Sequence, residues 1–195
     1  GGYRASITYN GKLYFVAADA SPIFWRLIRK ITMQRRLNTC ARPSDPFISV
    51  GIRGLAVVNG MLIASMIGDN GTYIVASENP SAGQASFETI GTQEDLLDTG
   101  LYDNDSIFGG AIWDMIGFQD KLYFTVVTGK AGNKQAFAMF CGEQDEATGE
   151  WSYRLIIGDE ADGARYPFGL GADRSGAANL IVHDAISTSV VIMIQ

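Results

Sequence analysis

One short motif recurs along this chain and limits its fold more than any other feature. It is an apolar run, a two-residue turn, and a second run that opens with Lys-Leu-Tyr or a close variant. Ser6-Ile7-Thr8-Tyr9-Asn10-Gly11-Lys12-Leu13-Tyr14-Phe15 aligns with Leu55-Ala56-Val57-Val58-Asn59-Gly60-Met61-Leu62-Ile63-Ala64, and both align with Met115-Ile116-Gly117-Phe118-Gln119-Asp120-Lys121-Leu122-Tyr123-Phe124. Asn-Gly between apolar runs signals a hairpin, because a type I′ turn needs positive φ at both central residues and these residue types adopt it most readily. Each copy therefore predicts a β-hairpin.

Third runs follow two of the hairpins, Thr72-Tyr73-Ile74-Val75-Ala76 and Ala136-Phe137-Ala138-Met139-Phe140. Fourth runs come after them, Phe87-Glu88-Thr89-Ile90 and Trp151-Ser152-Tyr153-Arg154-Leu155-Ile156. Four antiparallel strands per repeat make a propeller blade. The anchor leucines Leu13, Leu62 and Leu122 stand 49 and then 60 residues apart, near the period of propeller blades and too long for leucine-rich or tetratricopeptide repeats. An acidic insertion at 94–105 accounts for the longer second interval. The expectation is a single all-β domain, a β-propeller-like array of four-stranded antiparallel blades at about 1–50, 51–110 and 111–168, with an incomplete blade at 169–195. That is about three and a half blades, fewer than the four to eight that close a propeller without open edges, so a truncated piece of something longer is expected.

Composition fits this reading and removes others. Apolar residues make up 47% and charged residues 18%, too apolar for disorder, while 23 Gly argue against a helical bundle. A net charge of −6 argues against nucleic acid as partner, since binding phosphates needs a basic face. No run of about 18 apolar residues offers a membrane-spanning helix. Cys40 and Cys141 have neither CxxC spacing nor a disulfide framework, so buried free thiols are expected.

Two segments leave the pattern. Residues 21–49 carry a basic, helix-like stretch with Trp25, Arg26, Arg29, Lys30, Arg35 and Arg36 where the first blade needs its third strand. Residues 185–195 end in a β-branched run where a fourth hairpin is due after the turn at His183-Asp184. A shifted reading frame permits an alternating strand in the first segment and a Leu-Tyr motif in the second. The reading favoured over a basic amphipathic insertion is that both are frameshift products, so no site residue is placed in either.

The units Asn10-Gly11-Lys12-Leu13-Tyr14 and Asp120-Lys121-Leu122-Tyr123, the latter preceded by Ala111-Ile112-Trp113-Asp114-Met115, resemble kelch-like propeller repeats of large bacterial secreted or surface proteins. The resemblance implies the propeller fold and an extracellular or cell-surface location. It does not choose a function, because propellers host enzymes, binders and scaffolds alike.

In a propeller the first strand of each blade lines the central channel, so equivalent positions converge. Nine residues before the anchor leucines lie Arg4, Arg53 and Trp113; Asp114 adjoins the last, and Asp173, Arg174 and Ser175 lead into the fourth blade. Arg4, Arg53, Trp113, Asp114 and Arg174 form the candidate ligand site. Arginine forks suit a carboxylate or a group of sugar hydroxyls, and Trp113 offers a stacking face. The competing expectation is a channel plugged by salt bridges to Asp114 and Asp173, with Trp113 packed between blades.

No metal or cofactor is assigned. Asp95, Asp98, Asp103 and Asp105 lack calcium-loop spacing, Asp69-Asn70-Gly71 reads as a hairpin turn, and Gly169-Leu170-Gly171 is no nucleotide loop. No catalytic residue is assigned either, because the single His183 has no nucleophile at motif spacing. The expectation is a non-catalytic recognition or scaffold module for a glycan or protein partner at the channel mouth. A carbohydrate-active enzyme using Asp/Glu pairs and a structural spacer are the alternatives.

Overall fold

The computed structural model describes residues 3–17, 23–28, 32–38, 53–68, 71–92, 95, 112–127, 137–158, 166–167, 178–183 and 189–194, with backbone alone at some positions, among them Arg4, 23–28, 32–38, 166–167 and 189–194. The fold is an all-β array of antiparallel blades. The first blade is a meander of β1 (Tyr3–Tyr9), β2 (Lys12–Ala17), β3 (Ile23–Ile28) and β4 (Thr32–Asn38). The second is β5 (Leu55–Val58), β6 (Met61–Gly68), β7 (Gly71–Ser77) and β8 (Glu88–Gly91), with two short 3-10 turns between β7 and β8.

The third blade contains β9 (Ile112–Phe118), β10 (Lys121–Val127), β11 (Phe137–Gln144) and β12 (Trp151–Gly158). To β12 it adds a short parallel strand that the repeat did not predict, β13 (Tyr166–Pro167). A two-stranded sheet of β14 (Ala178–His183) and β15 (Ser189–Ile194) follows.

All three predicted hairpin turns have the backbone they require. Asn10 and Gly11 have φ of 47° and 69°, Asn59 and Gly60 49° and 75°, and Gln119 and Asp120 49° and 58°. The third turn thus holds the left-handed conformation at both positions without a glycine.

Two expectations need correction. The backbone of 23–28 and 32–38 is extended, not helical, and supplies the third and fourth strands of the first blade in the sequence as it stands. β-branched and aromatic residues such as Ile23, Phe24 and Trp25 suit a strand, and the neighbouring hairpin offers an open edge to pair with. His183 is also not a turn residue. It ends β14 opposite Ser189, and the second strand of that hairpin starts four residues later than the motif predicts.

The core lies between blades rather than within them. Leu55, Leu62, Ala64, Met66, Tyr73 and Val75 of the second blade pack with Tyr9, Tyr14 and Val16 of the first. From the opposite face of the same strands, Ala56, Val58, Ile63, Ile74 and Ala76 pack with Ile112, Met115, Leu122, Phe124 and Phe140 of the third. Met139 and Ile157 then meet Ala178 and Leu180. A sheet covered on both faces needs apolar residues at consecutive positions, which explains runs such as Leu62-Ile63-Ala64 in place of alternation.

Tyrosine hydroxyls tie the blades together through hydrogen bonds to backbone carbonyls. The Tyr9 hydroxyl lies 2.6 Å from the Gly60 carbonyl and 2.7 Å from that of Glu78. At the next interface the Tyr153 hydroxyl donates to Ile90 O at 2.9 Å. Gly91 lets the ring in, for a Cβ there would lie 2.8 Å from that hydroxyl. Gly117 serves β5 in the same way, since its Cβ would meet Val57 O at 2.0 Å.

Candidate functional site

The first strands of successive blades converge. β1, β5 and β9, with Asn179 of β14, line one cleft of about 690 Å³. Apolar residues of its lining include Ala5, Ile7, Leu55 and Ile116; Ser6, Thr8, Arg53, Asp114 and Asn179 are its polar ones, with Trp113 beside them.

Arg53 and Trp113, at equivalent positions of neighbouring blades, are in direct contact. The guanidinium carbon of Arg53 stands 3.9 Å from the centroid of the Trp113 ring, a cation–π arrangement worth roughly 0.5–2 kcal/mol depending on desolvation. The indole is fixed from its edge as well, donating from Nε1 to Asn179 Oδ1 at 3.1 Å. Trp113 is therefore oriented by the next strand and in turn orients Arg53.

Asp114 is held by backbone from two strands. Its Oδ1 accepts the Met115 N–H at 2.9 Å and its Oδ2 the Leu180 N–H at 2.7 Å. Both oxygens are thus engaged by backbone, and the side chain joins β9 to β14. Burial pushes its carboxyl above the ordinary aspartate value, and the N–H bonds from Leu180 and Met115 pull it part of the way back. The group is a link between strands.

Three further residues hold the cleft together without having been singled out by motif. Asn179 positions Trp113. Ser65 and Thr125, each three residues after its anchor leucine, are buried hydroxyls in apolar strands. Ser65 Oγ accepts the Gly54 N–H at 2.8 Å, and Thr125 Oγ1 donates to Ala178 O at 2.6 Å. Each thereby pins the start of a cleft-lining strand. Their shared place in the repeat was the available signal.

Of the predicted ligand residues, Arg53, Trp113 and Asp114 come together. The side chain of Arg4, and Arg174 with Asp173 and Ser175, lie outside the described residues, as do Cys40, Asp98, Asp103, Asp105, Asp69-Asn70 and Gly169-Leu170-Gly171. Cys141 is a buried free thiol. Asp95 Oδ2 accepts from the backbone N–H and the hydroxyl of Thr92, both at 2.8 Å, which closes a local turn. Among the described residues no three His, Cys, Asp or Glu gather as a metal site, and no helix is long and apolar enough to cross a membrane.

A second cleft of about 420 Å³ lies between the second and third blades, with Glu78, Glu88, Gln144 and Trp151 on its walls. The Trp151 Nε1–H is buried with no hydrogen-bond partner among the described residues.

No family model and no curated protein matches the chain. Among solved structures it is similar to apo AztD from Citrobacter koseri, at 14% identity and a TM-score of 0.37, over 80% of this chain and 47% of that one. The chain thus spans about half the length of that structure.

Proposed function

We propose that this chain is a non-catalytic recognition module and that the cleft between its inner strands takes a glycan, held by Arg53 beside Trp113. One observation carries the reading. Equivalent positions of neighbouring blades deliver a guanidinium and an indole to the same wall of a cleft of about 690 Å³, 3.9 Å from each other. A guanidinium held against an indole brings planar N–H donors to the cleft wall. Sugar hydroxyls and carboxylates are acceptors for them. The net charge of −6 repels a polyanion at long range and so favours a neutral or weakly acidic saccharide. An extracellular or cell-surface setting, and kinship with kelch-like repeats, belong to the same reading.

A carbohydrate-active enzyme is the second reading, and one feature ranks it lower. Hydrolysis of a glycosidic bond uses a pair of carboxylates, and among the described residues lining the cleft Asp114 is the single one. Its oxygens already accept two backbone N–H groups.

Glycan-array binding of the parent chain and of Arg53→Ala tests the proposal. The parent is expected to select a small set of saccharides, and the variant to bind them at least tenfold more weakly. Equal binding by the two would overturn the site. Turnover of a bound polysaccharide would replace the recognition module with the enzyme, and no binding by the parent would leave the spacer.

A further inference from the structure

We infer that the second cleft, between the second and third blades, binds an alkylammonium group, its charge held by Glu78 and Glu88 and its carbon chain against Trp151. The cleft has a volume of about 420 Å³, within the range of small-ligand sites. Glu78 and Glu88 are the charged residues of its lining, and among the described residues no Lys or Arg joins them there. Both are exposed. The ion pairs among the described residues, Lys121 and Arg154 with Glu143, do not involve them. Glu150 adds a third carboxylate beside the lining, between Gly149 and Trp151. An anion is repelled from such a place and a cation is drawn to it, a preference that the net charge of −6 extends to long range.

Most other polar side chains of the cleft are already engaged. Ser77 Oγ donates to Ser86 Oγ at 2.9 Å and accepts the Asn79 N–H at 3.1 Å, while Ser86 Oγ donates to Gly83 O at 2.7 Å. The Gln144 amide is held at both ends. Its Oε1 accepts from Asn59 Nδ2 and its Nε2 donates to Gly149 O, each at 3.1 Å. Trp151 stacks on Tyr153, with centroids 6.3 Å apart and planes 16° from parallel. The walls are thus fixed, and the carboxylates are the charged groups left to meet a ligand.

Apolar Met61 and Ile90 line the same cleft as Trp151. An ammonium on an alkyl chain matches both halves, its head at the glutamates and its methylenes along the apolar wall and the indole. A metal ion fits less well, because hard cations collect six or more oxygen ligands and no three His, Cys, Asp or Glu gather among the described residues.

Titration of the isotope-labelled chain with spermidine, followed by NMR at the Trp151 indole N–H, tests the inference. Trp151→Phe identifies that resonance. A saturable shift is expected with spermidine and none with calcium chloride at matched ionic strength. Glu78→Gln combined with Glu88→Gln, both at exposed positions, should keep the parent's spectrum elsewhere and weaken binding roughly tenfold or more. Arg53→Ala should bind spermidine as the parent does, so the result stands apart from that of the glycan cleft. A lysine peptide that binds more tightly than spermidine would keep the site and assign the ammonium to a partner protein; the reverse order would assign it to a free amine. An unmoved Trp151 resonance, or a shift that the double variant leaves unchanged, overturns the site. A shift by calcium at lower concentration than spermidine overturns the ligand class.

Discussion

The first and second blades begin with nearly the same hairpin and bury it differently. Leu13 and Leu62 occupy one repeat position, yet the former is 37% exposed and the latter 0%. Thr8, Val57 and Gly117 share another. Thr8 is exposed, whereas Gly117 admits Val57 O so closely that a Cβ has no room. The repeat position fixes which way a side chain points, and the presence of a neighbouring blade fixes whether it is buried. The hairpin is a local property, and the core belongs to pairs of blades.

Truncating the anchor leucine gives the largest expected contrast. Leu62→Ala should lose about 2–5 kcal/mol, the range for a buried leucine. Leu13→Ala should lose less than about 1 kcal/mol. Urea denaturation of both variants reads the difference directly, and equal losses would show that the first blade is covered after all.

Adding one carbon probes the neighbouring position. Gly117→Ala is expected to cost roughly 1–3 kcal/mol by forcing β5 and β9 apart, while Thr8→Ala should stay within about 0.5 kcal/mol. A harmless Gly117→Ala would mean that the close approach of these strands is not required.

The smallest effect should come from exposed charge. Glu143 Oε1 pairs with Lys121 Nζ and with an Arg154 guanidinium nitrogen, both at 2.9 Å. Lys121 foremost, and Arg154 with it, holds the Glu143 carboxyl below its ordinary value. Its folded value therefore lies beneath its unfolded one. The resulting stability is present above the unfolded value and is lost as pH falls through the folded one. With Glu143 41% exposed, Glu143→Gln should cost under about 1 kcal/mol at pH 7 and low salt, and less in high salt. Urea melts at pH 7 and pH 3 check this: an undiminished effect at pH 3 would assign it to packing instead of charge.

The hairpins were legible because their signal is local. Asn10-Gly11 and Asn59-Gly60 announce their φ values, and even Gln119-Asp120, with no glycine, was found by alignment to the other two. The third and fourth strands of the first blade were not, since Arg26, Arg35 and Arg36 break the apolar pattern and the pairing of 23–28 with β2 is a tertiary event. The short parallel β13 left no periodic trace in two residues. At the cleft, counting back from the leucines found Arg53 and Trp113 because repetition makes convergence a matter of arithmetic. The same count could not show that both oxygens of Asp114 would be taken by Met115 and Leu180, one of them across 66 positions of sequence. Asn179 escaped because its part depends on a contact between blades.

Consecutive residues of one strand, Leu62 and Ile63, belong to two different cores, the first shared with the blade before and the second with the blade after. A single peptide unit thus couples two interfaces. The second blade cannot detach without opening both. In a quasi-linear array of this kind, opening starts at the ends and the interior is the last to exchange its amide protons. The order in which the chain comes apart is therefore set by how many neighbours a blade has, with little regard to how well its own four strands are paired.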